Sequence, residues 1–178
     1  VVIVAGDTKV VEKGKADGLF ITTTGFGWVS EHTQIGGEQA QPGDAVIISG
    51  TIGDHGIAVL AARGDLGFET QVKSDVAPLN GLIQTVLSAI PEIHVLRDPT
   101  RGELATTLNE IAAQSRVNIT IDETSVPYLP AVQTACEMLG FDPLYVANEG
   151  KVIVITPQIH AAKIIEIMKA HPYGKHAT

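Results

Sequence analysis

Ala45-Val46-Ile47-Ile48-Ser49-Gly50-Thr51-Ile52-Gly53-Asp54-His55-Gly56 is the stretch on which the fold turns. Ala45–Ser49 is an apolar, β-branched run, the pattern of a strand buried on both faces. Gly50–Asp54 reads as a tight loop and Gly56–Arg63 as a short helix. Downstream the alternation continues. Ser74-Asp75 offers an N-cap for a helix from about Pro78 to Ile90. Ile93–Leu96 is a short strand, and Glu103–Ser115 a helix whose Leu104, Leu108 and Ile111 share one apolar stripe. Val117–Ile121 reads as a strand, and Pro130 opens a helix closed by Leu139-Gly140, where glycine suits a left-handed cap. Tyr145–Ala147 and Lys151–Ile155 read as strands around the turn Asn148-Glu149-Gly150, and Pro157 opens a last helix to about Ala170. Upstream, Val1–Ala5 and Leu19–Thr24 are strand candidates. Gly25–Gly43 holds five glycines and a proline, a linker or long loop that places a domain boundary near Pro42. The expected class is α/β or α+β, with domains at 1–41 and 42–178.

Composition fits that reading. The chain has 178 residues, 44% hydrophobic and 18% charged, enough to bury a core. Its formal net charge is −8, from 12 Lys and Arg against 20 Asp and Glu, with no basic stripe, which excludes a general nucleic-acid binder and disfavours anionic membranes. No apolar run reaches the ~20 residues of a membrane span. No basic-then-apolar leader opens the sequence, and the cytoplasm is the expected compartment. The one cysteine, Cys136, excludes an internal disulfide framework or a Cys-rich zinc site; its neighbours Val132 and Leu139 suggest a buried thiol. The six histidines (32, 55, 94, 160, 171, 176) form no helical ligand pair.

Four polar loops at strand ends collect the chemistry. Gly6-Asp7-Thr8-Lys9 offers backbone approach, a carboxylate for Mg²⁺, a hydroxyl and a cation to a phosphate, or else is an ordinary solvated turn; it is not the Walker pattern. Gly50–Gly56 has glycines three apart, so no dinucleotide fingerprint follows, and His55 alone reads equally as an exposed or capping histidine. Arg97-Asp98-Pro99-Thr100-Arg101-Gly102 puts two arginines before a helix N-terminus, either to hold an anion or as a solvated Asp–Arg pair. Ala147-Asn148-Glu149-Gly150-Lys151 is either a hairpin tip or the seat of a general base, if burial raises the Glu149 pKa.

Taken together and in order, Val4-Ala5-Gly6-Asp7-Thr8-Lys9-Val10-Val11, Gly53-Asp54-His55-Gly56, the Arg97–Gly102 loop and Ala147–Lys151 resemble the HypE family of hydrogenase maturation proteins. Leu139-Gly140-Phe141-Asp142-Pro143-Leu144 and His171-Pro172-Tyr173-Gly174-Lys175 are similar to it as well, so the resemblance spans essentially the whole chain. It implies the C-terminal α/β domain of the aminoimidazole ribonucleotide synthetase-like fold, preceded by the end of an ATP-binding, dimer-forming domain. It also implies ATP-dependent dehydration of a thiocarboxamide on a C-terminal cysteine to a thiocyanate, which supplies cyanide to the iron of a [NiFe]-hydrogenase. On the resemblance, Lys9 and Glu149 are the catalytic residues, Glu149 as base. Asp7, Thr8, Lys9, His55, Arg97 and Arg101 hold ATP or its phosphates, and Asp7 takes Mg²⁺. The implied partners are the carbamoyltransferase HypF and the iron-carrying HypC–HypD complex, with a homodimer as the assembly of the full-length protein.

Two departures accompany it. The family motif usually runs Asp-Pro-Thr-Arg-Gly-Gly, and here Glu103 stands at the last position; a helix N-terminus tolerates Glu, but a negative charge is added near a phosphate site. The family's N-terminal half and its Pro-Arg-Ile-Cys tail have no counterpart in these 178 residues, so the expectation is a piece of a longer protein that does not turn over alone. The alternatives are another ATP-dependent enzyme of the superfamily, such as a selenophosphate synthetase or small-molecule kinase, or a docking module for maturation partners.

Overall fold

The computed structural model describes residues 2–16, 18–29, 31, 33–64, 67 and 70–178. The chain divides into two compact units, Val1–Thr33 and Gln34–Thr178. In the first, the described residues form turns and irregular backbone. Val2, Ile3 and Val4 and, further on, Leu19, Phe20 and Ile21 are all exposed. Both strands expected here therefore do not form over the described residues; Val1 lies outside them, as does His32. A β-prone run needs a partner strand and a face to cover it, and this unit supplies neither to those segments.

The second unit is a three-stranded antiparallel sheet with helices on both faces. Its strands are β1 (Asp44–Ile48), β2 (Val95–Arg97) and β3 (Ile153–Pro157), in the order β1-β3-β2. Register pairs Ile47 with Val154 and Val95 with Ile155. The helices are α1 (Asp54–Arg63), α2 (Asn80–Ala89), α3 (Glu103–Ser115), α4 (Pro130–Leu139) and α5 (Gln158–Lys169). Antiparallel pairing with helices inserted between the strands makes the fold α+β.

β3 shows why the sheet is two-sided. Val154, with Val152 just before the strand, points to a core shared with Leu82 and Val86 of α2 and Ile164 and Met168 of α5. Ile153 and Ile155 point the other way, against Leu104, Leu108 and Ile111 of α3. The period of two splits an unbroken apolar run between two cores. Each such fully buried Ile or Val contributes roughly 1.5–3 kcal/mol. A third core joins Ile57 of α1 to Val132, Ala135 and Cys136 of α4, with Val146.

Three further expectations are corrected. Val117–Ile121 packs Val117, Ile119 and Ile121 on the core but forms no strand; a cleft of about 440 Å³ is lined by this segment and β1 together. Tyr145–Ala147 is not a strand either, and no hairpin tip exists at 148–150. β1 and β2 occupy both edges of β3, which leaves no place for another partner, and the Ala147 carbonyl accepts from the Gly56 N–H at 3.0 Å instead. Nor do Ser74-Asp75 cap α2. That helix begins at Asn80 after Leu79 with no side-chain cap, and the two polar residues are engaged elsewhere. Helices α3 and α4 lie where the pattern put them, with Gly140 closing α4 at φ 70°.

Candidate functional site

Asn148 is where three of the quoted loops meet. It is fully buried. Its Oδ1 accepts from the Gly53 N–H at 2.8 Å, and its Nδ2 donates to the carbonyls of Val146 at 3.1 Å and Pro99 at 3.4 Å. One amide thus ties the loop before α1, the loop after β2 and the loop before β3. The backbones approach so closely that side chains are excluded. A Cβ on Gly56 would sit 2.6 Å from Val146 Cγ1.

Beside this junction lies a buried ionic cluster. Lys151 Nζ stands 2.9 Å from Asp75 Oδ2 and 3.7 Å from Asp54 Oδ2. The first is a close ion pair that matches the charge on Asp75 Oδ2, an atom otherwise buried without a hydrogen-bond donor. The Thr51 hydroxyl donates to Asp54 Oδ2 at 2.5 Å, while Asp54 Oδ1 is buried without a donor. Burial pushes the Asp54 carboxyl above its ordinary 3.8; the Thr51 hydroxyl and Lys151 pull it back, and the Asp75 charge adds to the rise. Buried ions persist only when paired, and here one lysine answers two aspartates.

Above the cluster sit His55 and Glu149. His55 Nε2 is 3.9 Å from Glu149 Oε1, with side chains 25% and 40% exposed. His55 Nδ1 contacts Ser74 Oγ at 2.9 Å, and the Glu149 N–H donates to Asp75 Oδ1 at 3.2 Å. Glu149 is exposed between buried neighbours, so a buried carboxylate is not what the fold provides. What the fold provides is a carboxylate on a backbone held at both flanks, facing an imidazole. Lys151, Asp75, Ser74 and Ala77 also line a cleft of about 290 Å³, with Lys175 and His176 at its rim. His55 additionally lines a cleft of about 580 Å³ walled by Val59, Leu60, Phe141, Tyr145 and Val146.

The remaining expected residues are placed as follows. Arg97 ends β2 and pairs with Asp98 at 3.0 Å and Glu110 at 3.6 Å, the Asp–Arg contact that the sequence left open. Arg101 is exposed and enters no ion pair among the described residues. Asp7, Thr8 and Lys9 belong to the first unit, all exposed, with the Thr8 N–H donating to Asp7 Oδ1 at 2.8 Å. Among the described residues no three His, Cys, Asp or Glu side chains converge to hold a metal, so Asp7 offers a single carboxylate. Burial, with the Asp142 charge behind it, raises the pKa of the Cys136 thiol, the condition of an unreactive cysteine.

Six contributors to the site were not singled out from sequence: Thr51, Asp54, Ser74, Asp75, Asn148 and Lys151. A signal existed for one. Lys151 abuts the apolar run Val152–Ile155, where a charge demands a buried partner. Asp75 was masked by its resemblance to a helix cap.

Comparisons with known proteins follow the same outline. The family model described as AIR synthase related protein, C-terminal domain, matches residues 41–177. The chain is 54% identical over 175 residues to carbamoyl dehydratase HypE of Cupriavidus necator, covering 98% of this chain and 50% of that protein. It spans about half the length of the curated relatives it matches. The crystal structure of a HypE–HypF complex superposes with TM-score 0.77 at 52% identity, over 80% of this chain and 47% of that one. Hydrogenase maturation protein HypE in complex with ATP superposes with TM-score 0.77 at 48% identity, over 81% of this chain and 43% of that one. Among the described residues no helix is long and apolar enough to cross a membrane.

Proposed function

The chain belongs to the AIR synthase related protein family through its C-terminal domain, and from that premise we propose that it serves a HypE-type, ATP-dependent carbamoyl dehydratase in hydrogenase maturation. The observation that carries the reading is the convergence of three loops on buried Asn148, in a chain that shares 54% of its aligned residues with a carbamoyl dehydratase. In this reading residues 1–41 contribute to an ATP-binding, dimer-forming domain and residues 42–178 form the C-terminal domain. The protein works in the cytoplasm as a homodimer. HypF supplies the carbamoyl group, and the HypC–HypD complex receives the cyanide.

The substrate is a thiocarboxamide on a C-terminal cysteine, and the product a thiocyanate. Both amide protons must leave nitrogen as the oxygen departs. ATP supplies the phosphoryl group that makes that oxygen a leaving group. Asp7, Thr8 and Lys9 suit a triphosphate: they are exposed and enter no ion pair among the described residues. Lys9 offsets phosphate charge in the transition state. Asp7 fits Mg²⁺, which is commonly held by one or two carboxylates together with substrate phosphates. Arg101 is open to an oxyanion, whereas Arg97 must loosen its hold on Asp98 and Glu110 to reach one.

Glu149 acts as the base. Its carboxylate is solvent-accessible, its backbone is pinned by Asp75, and His55 Nε2 stands 3.9 Å from it. The test is Glu149→Gln in the gene-encoded full-length protein, which is expected to keep ATP binding and lose thiocyanate formation. Turnover at the original rate would overturn the base role.

A further inference from the structure

Residues 73–77 form an irregular segment between α1 and α2, and sequence patterning assigned them nothing beyond a cap. Yet two consecutive side chains of this segment reach both members of the His55–Glu149 pair. Ser74 Oγ meets His55 Nδ1 at 2.9 Å. Asp75, its carboxylate 4% exposed, receives the Glu149 N–H on Oδ1 at 3.2 Å and faces Lys151 Nζ with Oδ2 at 2.9 Å. The residues on either side of Gly150 are thereby held by one carboxylate. Gly150 itself leaves no room for a side chain, since a Cβ there would lie 2.7 Å from Ala77 N and closer still to the Asp75 carbonyl.

Hydrogen-bond chemistry then fixes the imidazole. At 3.9 Å His55 Nε2 and Glu149 Oε1 interact through charge rather than a hydrogen bond, and a carboxylate, which only accepts, favours the proton on Nε2. A neutral ring with Nε2–H presents a lone pair at Nδ1, and the Ser74 hydroxyl is the donor that satisfies it. We propose that Ser74 and Asp75 are positioning residues: Ser74 holds His55 in the Nε2–H tautomer facing Glu149, and Asp75 sets the place of Glu149 by clamping residues 149 and 151. Neither touches the reacting atoms; each acts through its neighbour. The tautomer and the clamp are properties of this chain, and their catalytic consequence rests on the proposed base role of Glu149.

Nitrogen-15 imidazole spectra of the 178-residue chain at about pH 9, where imidazoles are ordinarily neutral, test the first half. The neutral ring of His55 is expected in the Nε2–H form, and Ser74→Ala is expected to give a tautomer mixture with unchanged circular dichroism. An Nδ1–H ring in the parent, or an unaltered ring in Ser74→Ala, overturns the proposal.

The second half is read in the gene-encoded full-length protein. Displacing a reacting group by about 1 Å can cost on the order of 100-fold in rate, so Asp75→Asn is expected to lower kcat by roughly 10- to 100-fold with KM for ATP unchanged. Asp75→Glu, which keeps the charge, is expected to recover part of the loss. Equal losses in both variants, or a change in KM alone, overturn the clamp. If Glu149→Gln turns over normally while the His55 spectra behave as stated, the base reading fails and the Ser74 assignment stands.

Discussion

Gly150→Ala asks whether the segment around Asp75 and the loop around Glu149 are locked together as described. An added Cβ would stand 2.7 Å from Ala77 N and 2.9 Å from Ala77 Cβ, where ordinary contact begins at 3.4 Å. Neither neighbour is the end of a flexible side chain; the tightest contacts are backbone. Relief therefore requires residues 75–77 or 149–151 to retreat by more than the 0.7 Å that separates 2.7 from 3.4, because the Asp75 carbonyl oxygen is nearer still. Overpacking of this kind costs about 1–3 kcal/mol, and the retreat pulls Asp75 from the Glu149 N–H and Lys151. We expect the unfolding free energy to fall by that amount, read as a urea midpoint lowered by the same amount divided by an unchanged m-value, together with loss of the His55–Ser74 tautomer signature. Gly81→Ala is the matched control. Gly81 lies in the first turn of α2, and among the described residues an added Cβ would meet only His171 Nε2, at 3.4 Å, so there alanine is expected to stabilise by about 0.5–1 kcal/mol. Equal midpoints for Gly150→Ala and the parent chain would refute the packing argument.

Three further outcomes are expected. Asn148→Ala strands the buried Gly53 N–H and the Pro99 and Val146 carbonyls, and should cost about 1–3 kcal/mol in urea unfolding; a loss below a few tenths would remove Asn148 from its joining role. Asp54 carries a carboxyl raised above 3.8 by burial, so the folded state binds its proton more tightly. The stability this group contributes is full below 3.8 and is lost as pH rises through its raised value. Asp54→Asn should lessen the fall of the urea midpoint as pH rises above 3.8 relative to the parent, and parallel curves would contradict the shift. Glu103 starts α3 at φ 49°, a left-handed backbone that costs a side-chain-bearing residue roughly 1–2 kcal/mol. Glu103→Gly should raise thermal stability accordingly, and a drop in melting temperature would show that the strain is compensated.

Much of the second unit was readable because its pattern has a local cause. The run from Val152 to Ile155 is apolar on both faces, so it had to be central, and α3 and α4 carry their own stripes and caps. What failed was decided by competition for edges. Tyr145–Ala147 has strand-like residues, but β3 already has a neighbour on each side. Val117–Ile121 found a core to pack on and no ladder. The first unit has β-prone runs whose partners are not among the described residues. At the site, His55 and Glu149 were legible by motif. Asp75 was not, because its partner Lys151 lies 76 positions away in the sequence and a lone Ser-Asp pair looks the same whether it caps a helix or clamps a loop. Glu103 shows the reverse case: its charge was weighed at a helix N-terminus, while its cost lies in the backbone.

The central claim is that Glu149 removes protons from a thiocarboxamide in an ATP-driven dehydration. Intact mass spectrometry of the gene-encoded full-length protein tests it, after incubation with HypF, a carbamoyl donor, ATP and Mg²⁺. The parent is expected to gain a carbamoyl group and then lose the mass of one water, while Glu149→Gln is expected to stop at the carbamoylated species. Loss of water from the Glu149→Gln protein at the parent's rate would contradict the account.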